Sequence, residues 1–137
     1  MPITKHQPDQ LHQRELMGHP LYSHVVTVTD ETLVFISGQL SRDSKGNIVG
    51  PGDMRAQIRQ VGENLQRALA GVGATVADLV KITTYITDID EFFKHADVRH
   101  EFFGTSLPAS TTVQVSRLSH PDLLVEVEAV AAIKNGK

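Results

Sequence analysis

There is no cysteine anywhere in this chain of 137 residues. That excludes a disulfide framework, a thiolate nucleophile and any zinc site built on sulfur. It also fits a reducing compartment. Aromatic residues are scarce, at 5%, and the lysines and arginines are scattered within a formal net charge of −3. A nucleic-acid surface needs a basic patch and stacking rings, so both scarcities argue against one. No apolar run is long enough to cross a bilayer. The first residues, MPITKHQPDQ, carry no apolar segment of the secretory kind. These absences leave the expectation of one cytoplasmic domain over residues 1–137, large enough to bury a core without staples.

Several catalytic signatures are missing too. There is no HExxH, no GxSxG elbow, and no P-loop or GxGxxG following a strand. His95 and His100 are spaced so that they do not share a helix face. They read as solvated helix residues. No metal and no cofactor is expected.

The hydrophobic pattern gives the elements. Residues 1–20 are polar and without period, and read as a loosely ordered, flexible arm. From Tyr22, "YSHVVTVT" alternates, and "TLVFISG" follows after Asp30 and Glu31, which together read as a hairpin. Residues 41–53 are turn-rich and read as a surface excursion. Asp53 is a good N-cap for a helix whose stripe is Ile58, Val61, Leu65, Ala68, Leu69 and Val72, with Gln57 assigned elsewhere. Gly71 and Gly73 stop it. "TVAD" at 75–78 is a capping box. A strand follows at 79–87, then a helix over 91–103 capped by Asp88 or Asp90, a strand at 110–116, and a last strand at 123–133.

The predicted order is β-β-α-β-α-β-β, an α+β fold with a mixed sheet. Two helices cover one face. "LVFI" and "LLVEVEAVAAI" are apolar on both faces, so a second subunit is expected to cover the other. On the last strand Glu126 and Glu128 are two apart and therefore share a face. The apolar Leu124 and Val130 beside them mean that this face is not simply wet. A carboxylate partly buried there would have a raised pKa and could pass protons near neutral pH; the bland alternative is a row of solvated charges.

"FISGQL", "NLQRALAGVGAT", "VKITTYITDI" and "LPAS" followed by "LVEVEAVA" occur in this order. In them the chain resembles the reactive-intermediate deaminase (RidA/YjgF) family, also labelled L-PSP endoribonuclease or translation inhibitor, over roughly residues 22–133. The resemblance implies a chorismate-mutase-like fold and a homotrimer with clefts between subunits. It implies water attack on small enamines or imines, giving a 2-oxo acid and ammonia. It matches Glu126 to the glutamate that orients the water, Ser37 and Gly38 to the Ser-Gly ending the second strand, and Tyr22 to the ring at the cleft mouth. Asp97 stands where many members have asparagine, and Thr112 where active members often have cysteine.

One departure matters. The family's carboxylate-binding arginine follows the Pro-Ala of the strand motif; here Pro108-Ala109 is followed by Ser110. A guanidinium fork binds a carboxylate through two charge-assisted bonds. A serine loses about 1.5–3 kcal/mol of this, a ten- to hundredfold loss on the order of one or two decades in affinity. Arg117 lies too far along the strand to stand in. With Ser110, Thr111 and Thr112 opening the strand and Glu126 retained, the cleft is expected to prefer a neutral or cationic small molecule over typical 2-imino acids. The preferred reading is a divergent hydrolase or deaminase in which Glu126 orients water and Tyr22, Ser37, Gly38, Ser110 and Thr112 hold the substrate. The alternative is a non-catalytic metabolite-binding trimer. The endoribonuclease label has less support from the charge balance.

Overall fold

Backbone N–H and C=O groups withdrawn from water need partners, and the last strand finds them on both of its edges. The computed structural model describes residues 2–135. Met1, Gly136 and Lys137, at the ends of the expected domain, lie outside the described residues. The elements are β1 (Ile3–His6), β2 (Glu15–Leu16), β3 (His19–Pro20), β4 (Val25–Val28), β5 (Glu31–Leu40), α1 (Met54–Ala70), a 3₁₀ turn (Val76–Asp78), β6 (Leu79–Ile86), α2 (Ile89–Phe93), α3 (Ala96–Phe103), β7 (Ala109–Gln114) and β8 (Val125–Lys134). The main sheet runs β5-β8-β6-β7. The β5–β8 and β8–β6 pairs are antiparallel, and β6–β7 is parallel. This is the mixed α+β sheet expected from the pattern, with the helices on one face.

Alternation divides the sheet cleanly. Val125, Val127, Ala129, Ala131 and Ile133 of β8, and Val80, Ile82, Thr84 and Ile86 of β6, are buried. Apart from Val80 and Thr84, they form one cluster with Ile58, Val61, Leu65 and Leu69 of α1 and with Phe92 and Val98 of α2 and α3. Glu126, Glu128, Lys81, Thr83 and Tyr85 occupy the opposite face by register. That face also carries Leu33, 49% exposed, and Phe35, 76% exposed. Exposed apolar side chains in this number mark a face that lacks its cover in a single chain.

The helix ends follow the sequence. The Asp53 side chain accepts from the Ala56 N–H at 3.0 Å. The helix stops at Gly71, and Gly73 adopts φ 73°. Thr75 and Asp78 form the capping box.

Four expectations are corrected. Residues 22–38 do not form a hairpin: β4 pairs antiparallel with β1, and β5 pairs with β8. Asp30, at φ 55°, turns the chain from one sheet into the other. The first twenty residues accordingly contain regular structure, in β1 and in the small β2–β3 pair. The helix expected over 91–103 starts earlier and is broken at Lys94–His95, where Glu91 accepts from Lys94 Nζ at 3.1 Å and is 3.2 Å from His95 Nε2. Finally, Val72 is exposed, whereas Gln57 is fully buried.

Gln57 is buried because it is satisfied. Its Nε2 donates to Gly50 O at 2.9 Å and Asp122 O at 2.8 Å, and its Oε1 accepts from Leu124 N at 2.8 Å. It thus ties α1 to the loops before itself and before β8. Gln57→Leu leaves these three backbone groups buried without partners and is expected to cost about 2–4 kcal/mol. Urea unfolding of the two proteins measures it; a difference below about 0.5 kcal/mol would contradict the role assigned here.

Candidate functional site

The open face of the sheet holds the acidic group. Glu126 is on β8, flanked by β5 and β6. The register between β5 and β8 shifts between Ile36 and Gln39, so Ser37 and Gly38 form a bulge in β5. The bulge needs a glycine: a Cβ at Gly38 would overlap the Glu126 carboxylate. Burial pushes the Glu126 carboxyl up, and the neighbouring charge of Glu128 adds to it. Tyr85 donates to Glu128 Oε1 at 2.8 Å, and that bond raises the phenol. Alongside lies a concavity of about 460 Å³ lined by Phe35, Ser37, Lys81, Thr83, Glu128 and Val130 among others.

The second cluster lies across the sheet. Ser110 and Thr112 pair with Ile82 and Thr84, so they face the helices, while Thr111 faces the Glu126 side, where Lys81 Nζ donates to it at 2.8 Å. β7 is an edge strand, and α2 and α3 leave a cavity of about 270 Å³ there. Its lining includes Tyr22, Ser110, Thr112, Phe93, Arg14 and Arg99. The Tyr22 hydroxyl donates to His12 O at 3.2 Å, which ties the ring to the N-terminal segment.

The six residues read from the sequence therefore form two groups. The chain brings Tyr22, Ser110 and Thr112 together. It brings Ser37, Gly38 and Glu126 together. It does not join the groups, because the sheet stands between them. Asp97 belongs to neither: Arg55 grips it at 3.1 and 2.7 Å, binding α1 to α3 and holding its carboxyl down. Arg117 turns to Leu118 O at 3.2 Å and is absent from the Ser110 cavity.

Ser110 stands where the family has its arginine, and two guanidiniums from elsewhere in the chain border the same cavity. Arg14 and Arg99 both line it. Arg99 is one turn beyond Ala96 on the inward side of α3, and its Nη2 donates to Leu21 O at 2.8 Å. Burial lowers it to about 10. A cation spaced with Phe92, Ala96 and Phe103 at helical intervals was the signal in the sequence that could have found it. Arg14 had none, being in a segment without period. Among the described residues, no three His, Asp or Glu side chains gather as a metal would require, and no helix is long and apolar enough to cross a membrane.

The sequence and the fold have counterparts. The chain belongs to the endoribonuclease L-PSP family, whose model matches residues 14–133. A RutC family protein of Pyrococcus horikoshii is 38% identical over 112 residues, 82% of this chain and 88% of that protein. A 2-iminobutanoate/2-iminopropanoate deaminase of Dermatophagoides farinae is 28% identical over 127 residues, 93% of this chain and 98% of that one. The crystal structure of YyfB of Yersinia pestis, a Rid family protein of unknown function, superposes with a TM-score of 0.83 at 28% identity, covering 97% of this chain and all of that one.

The Glu126 carboxyl gives a pH test. Its folded value is raised, so in the window just above the ordinary carboxylate range the native chain holds more proton than the unfolded one. Its penalty on stability is absent at low pH and grows as pH rises through that window. Glu126→Gln removes the penalty. The melting temperature of the variant is expected to gain on the wild type between about pH 4 and pH 7. A difference independent of pH would show that Glu126 is not strained by burial.

Proposed function

We propose that the protein hydrolyses small imines or enamines in clefts between copies of the chain, most simply a homotrimer, with Glu126 handling the proton of the attacking water. The observation that carries this is the Glu126 carboxylate, seated in the gap left by Gly38 and raised by burial. A carboxylate so tuned can take a proton from water as oxygen attacks the imine carbon, then deliver it to nitrogen as the carbon–nitrogen bond breaks. An enamine reaches the same path once its carbon is protonated. The balance is imine plus water to carbonyl plus ammonia, with no oxidant and no cofactor.

Two observations support a cleft between copies. The Glu126 face exposes Leu33 and Phe35, which a neighbour would cover. The two groups of residues are also opposite in charge, one acidic and one carrying guanidiniums, so they complement each other when one chain's Ser110 edge meets another's Glu126 face. Tyr22, Ser110 and Thr112 would then hold the substrate, with Ser37 and Gly38 shaping the floor beside the carboxylate. Exclusion of 2-imino acids no longer follows from Ser110, because Arg14 and Arg99 stand in the same cavity.

The test uses imines made in place by an amino-acid oxidase, with ammonia release followed. The wild type is expected to accelerate release, and Glu126→Gln to lower the rate on the order of a hundredfold. The rate should also fall on the acid side, as Glu126 takes up its proton. No acceleration by the wild type would overturn the reading, and a small molecule bound tightly and recovered unchanged would establish a non-catalytic binding trimer instead.

A further inference from the structure

Two imidazoles join the N-terminal segment to α3. His19 of β3 stacks on His100 of α3, with ring centroids 3.6 Å apart and planes 14° from parallel. Both residues are half-buried. Among the described residues neither ring makes a hydrogen bond, and no carboxylate lies within 4.0 Å of either. The stack is thus the one specific polar or ring contact that each side chain makes there.

The segment that carries His19 is lightly held. β2 and β3 pair with each other and with no other strand. Their turn puts Met17 at φ 54° and Gly18 at φ 78°. A methionine is disfavoured in that left-handed region, and Met17 is 54% exposed, so packing does not offset the strain. The neck of the segment is fixed: Gln13 Nε2 and Gln7 Nε2 donate to Tyr22 O at 3.1 and 2.7 Å, and Ser23 N donates to Pro108 O at 3.2 Å. Beyond the neck, residues 14–21 reach α2 and α3 through three contacts. These are the stack, Arg99 Nη2 on Leu21 O at 2.8 Å, and the Arg14 guanidinium 4.5 Å from the Phe93 ring centroid. Arg14, Leu16 and Leu21 form one wall of the Ser110 cavity, and Phe93, Ala96 and Arg99 form another.

We propose that residues 14–21 are a lid over the Ser110 cavity, latched to α3 by the His19–His100 stack, and that the lid lifts when both imidazoles take up a proton. Two neutral rings attract face to face through dispersion and shared burial. One imidazolium over a neutral ring is tolerated, as cations over rings generally are. Two imidazoliums at this separation repel, and the charges around them do not compensate. On the lid these are Arg14 and the exposed Glu15, which lies opposite Pro20. On α3 they are Asp97, Arg99 and Glu101; Arg55 and Arg59 of α1 already engage Asp97 and Glu101. Asp78 of the 3₁₀ turn packed against α3 is taken by Thr75 N. Arg99, next to His100 in the chain, adds positive charge. The stack therefore holds above the ordinary imidazole range, at about pH 6.5, and is lost below it. That lifting admits or frees a ligand rests on the cavity being half of the proposed cleft; the latch itself stands without that reading.

Hydrogen exchange of the full chain, followed by mass spectrometry at about pH 7.5 and about pH 5.5, tests the latch, with residues 125–133 as internal reference. Protection factors remove the pH dependence of the exchange chemistry itself. Residues 14–21 are expected to lose protection on the order of tenfold at the lower pH, while residues 125–133 keep theirs. His100→Phe puts a neutral ring in place of one imidazole, so the loss should vanish. His19→Phe, on a hairpin outside the main sheet, makes the same test if the first variant fails to fold. Unchanged protection in the wild type, a loss shared by residues 125–133, or an equal loss in the folded variants would overturn the proposal. Imine hydrolysis measured on the same samples keeps the two readings apart. A pH-dependent lid without hydrolysis retains the latch and removes the reaction; hydrolysis beneath a lid indifferent to pH does the reverse.

Discussion

The two-residue period of β8 is the constraint on which the rest depends. This strand is hydrogen-bonded on both edges, to β5 and to β6. Its odd-numbered residues from Val125 to Ile133 fill the core, and Glu126 and Glu128 point the other way. A slip of one residue would drive both carboxylates into the core and turn the valines outward. Register is therefore enforced by hydrophobic burial, and the two carboxylates inherit their placement from that enforcement. The one irregularity, at Ser37 and Gly38, falls beside Glu126, where a regular strand would have put a side chain into the carboxylate.

Much of the main sheet could be read from the sequence because local signals agreed with tertiary ones. The α1 stripe, the Asp53 cap, the Gly71 stop, the Thr75–Asp78 box and the alternation of β6 and β8 are each short-range patterns with one physical solution. The errors came where a pattern names an element but not its partner. "YSHVVTVT" announces a strand, yet nothing local says that it joins Ile3–His6 rather than β5. Gln57 was misplaced for a related reason. A polar side chain on a helix reads as exposed until three backbone groups from distant loops arrive to satisfy it.

The site was legible in its parts and not in its assembly. Glu126, Ser37, Gly38, Tyr22, Ser110 and Thr112 could be named from motifs, and alternation alone put Glu126 and Glu128 on one face. That Ser110 and Thr112 face the other side follows from the parallel register of β7 with β6, a long-range fact. Arg99 was legible in principle, as a charge at helical spacing among apolar residues. Arg14 was not, since it reaches the cavity through a segment held by a few hydrogen bonds rather than by a periodic pattern.

That segment bears on how such a protein can diverge. One wall of the Ser110 cavity is contributed by residues 14–22, which are joined to the main body by contacts such as Ser23 N to Pro108 O and Arg99 to Leu21 O. None of these residues belongs to the main sheet. Substitutions there can reshape the cavity without disturbing the packing of β8 against α1. The periphery is thus free to diverge while the architecture that places Glu126 stays under the stricter discipline of the core.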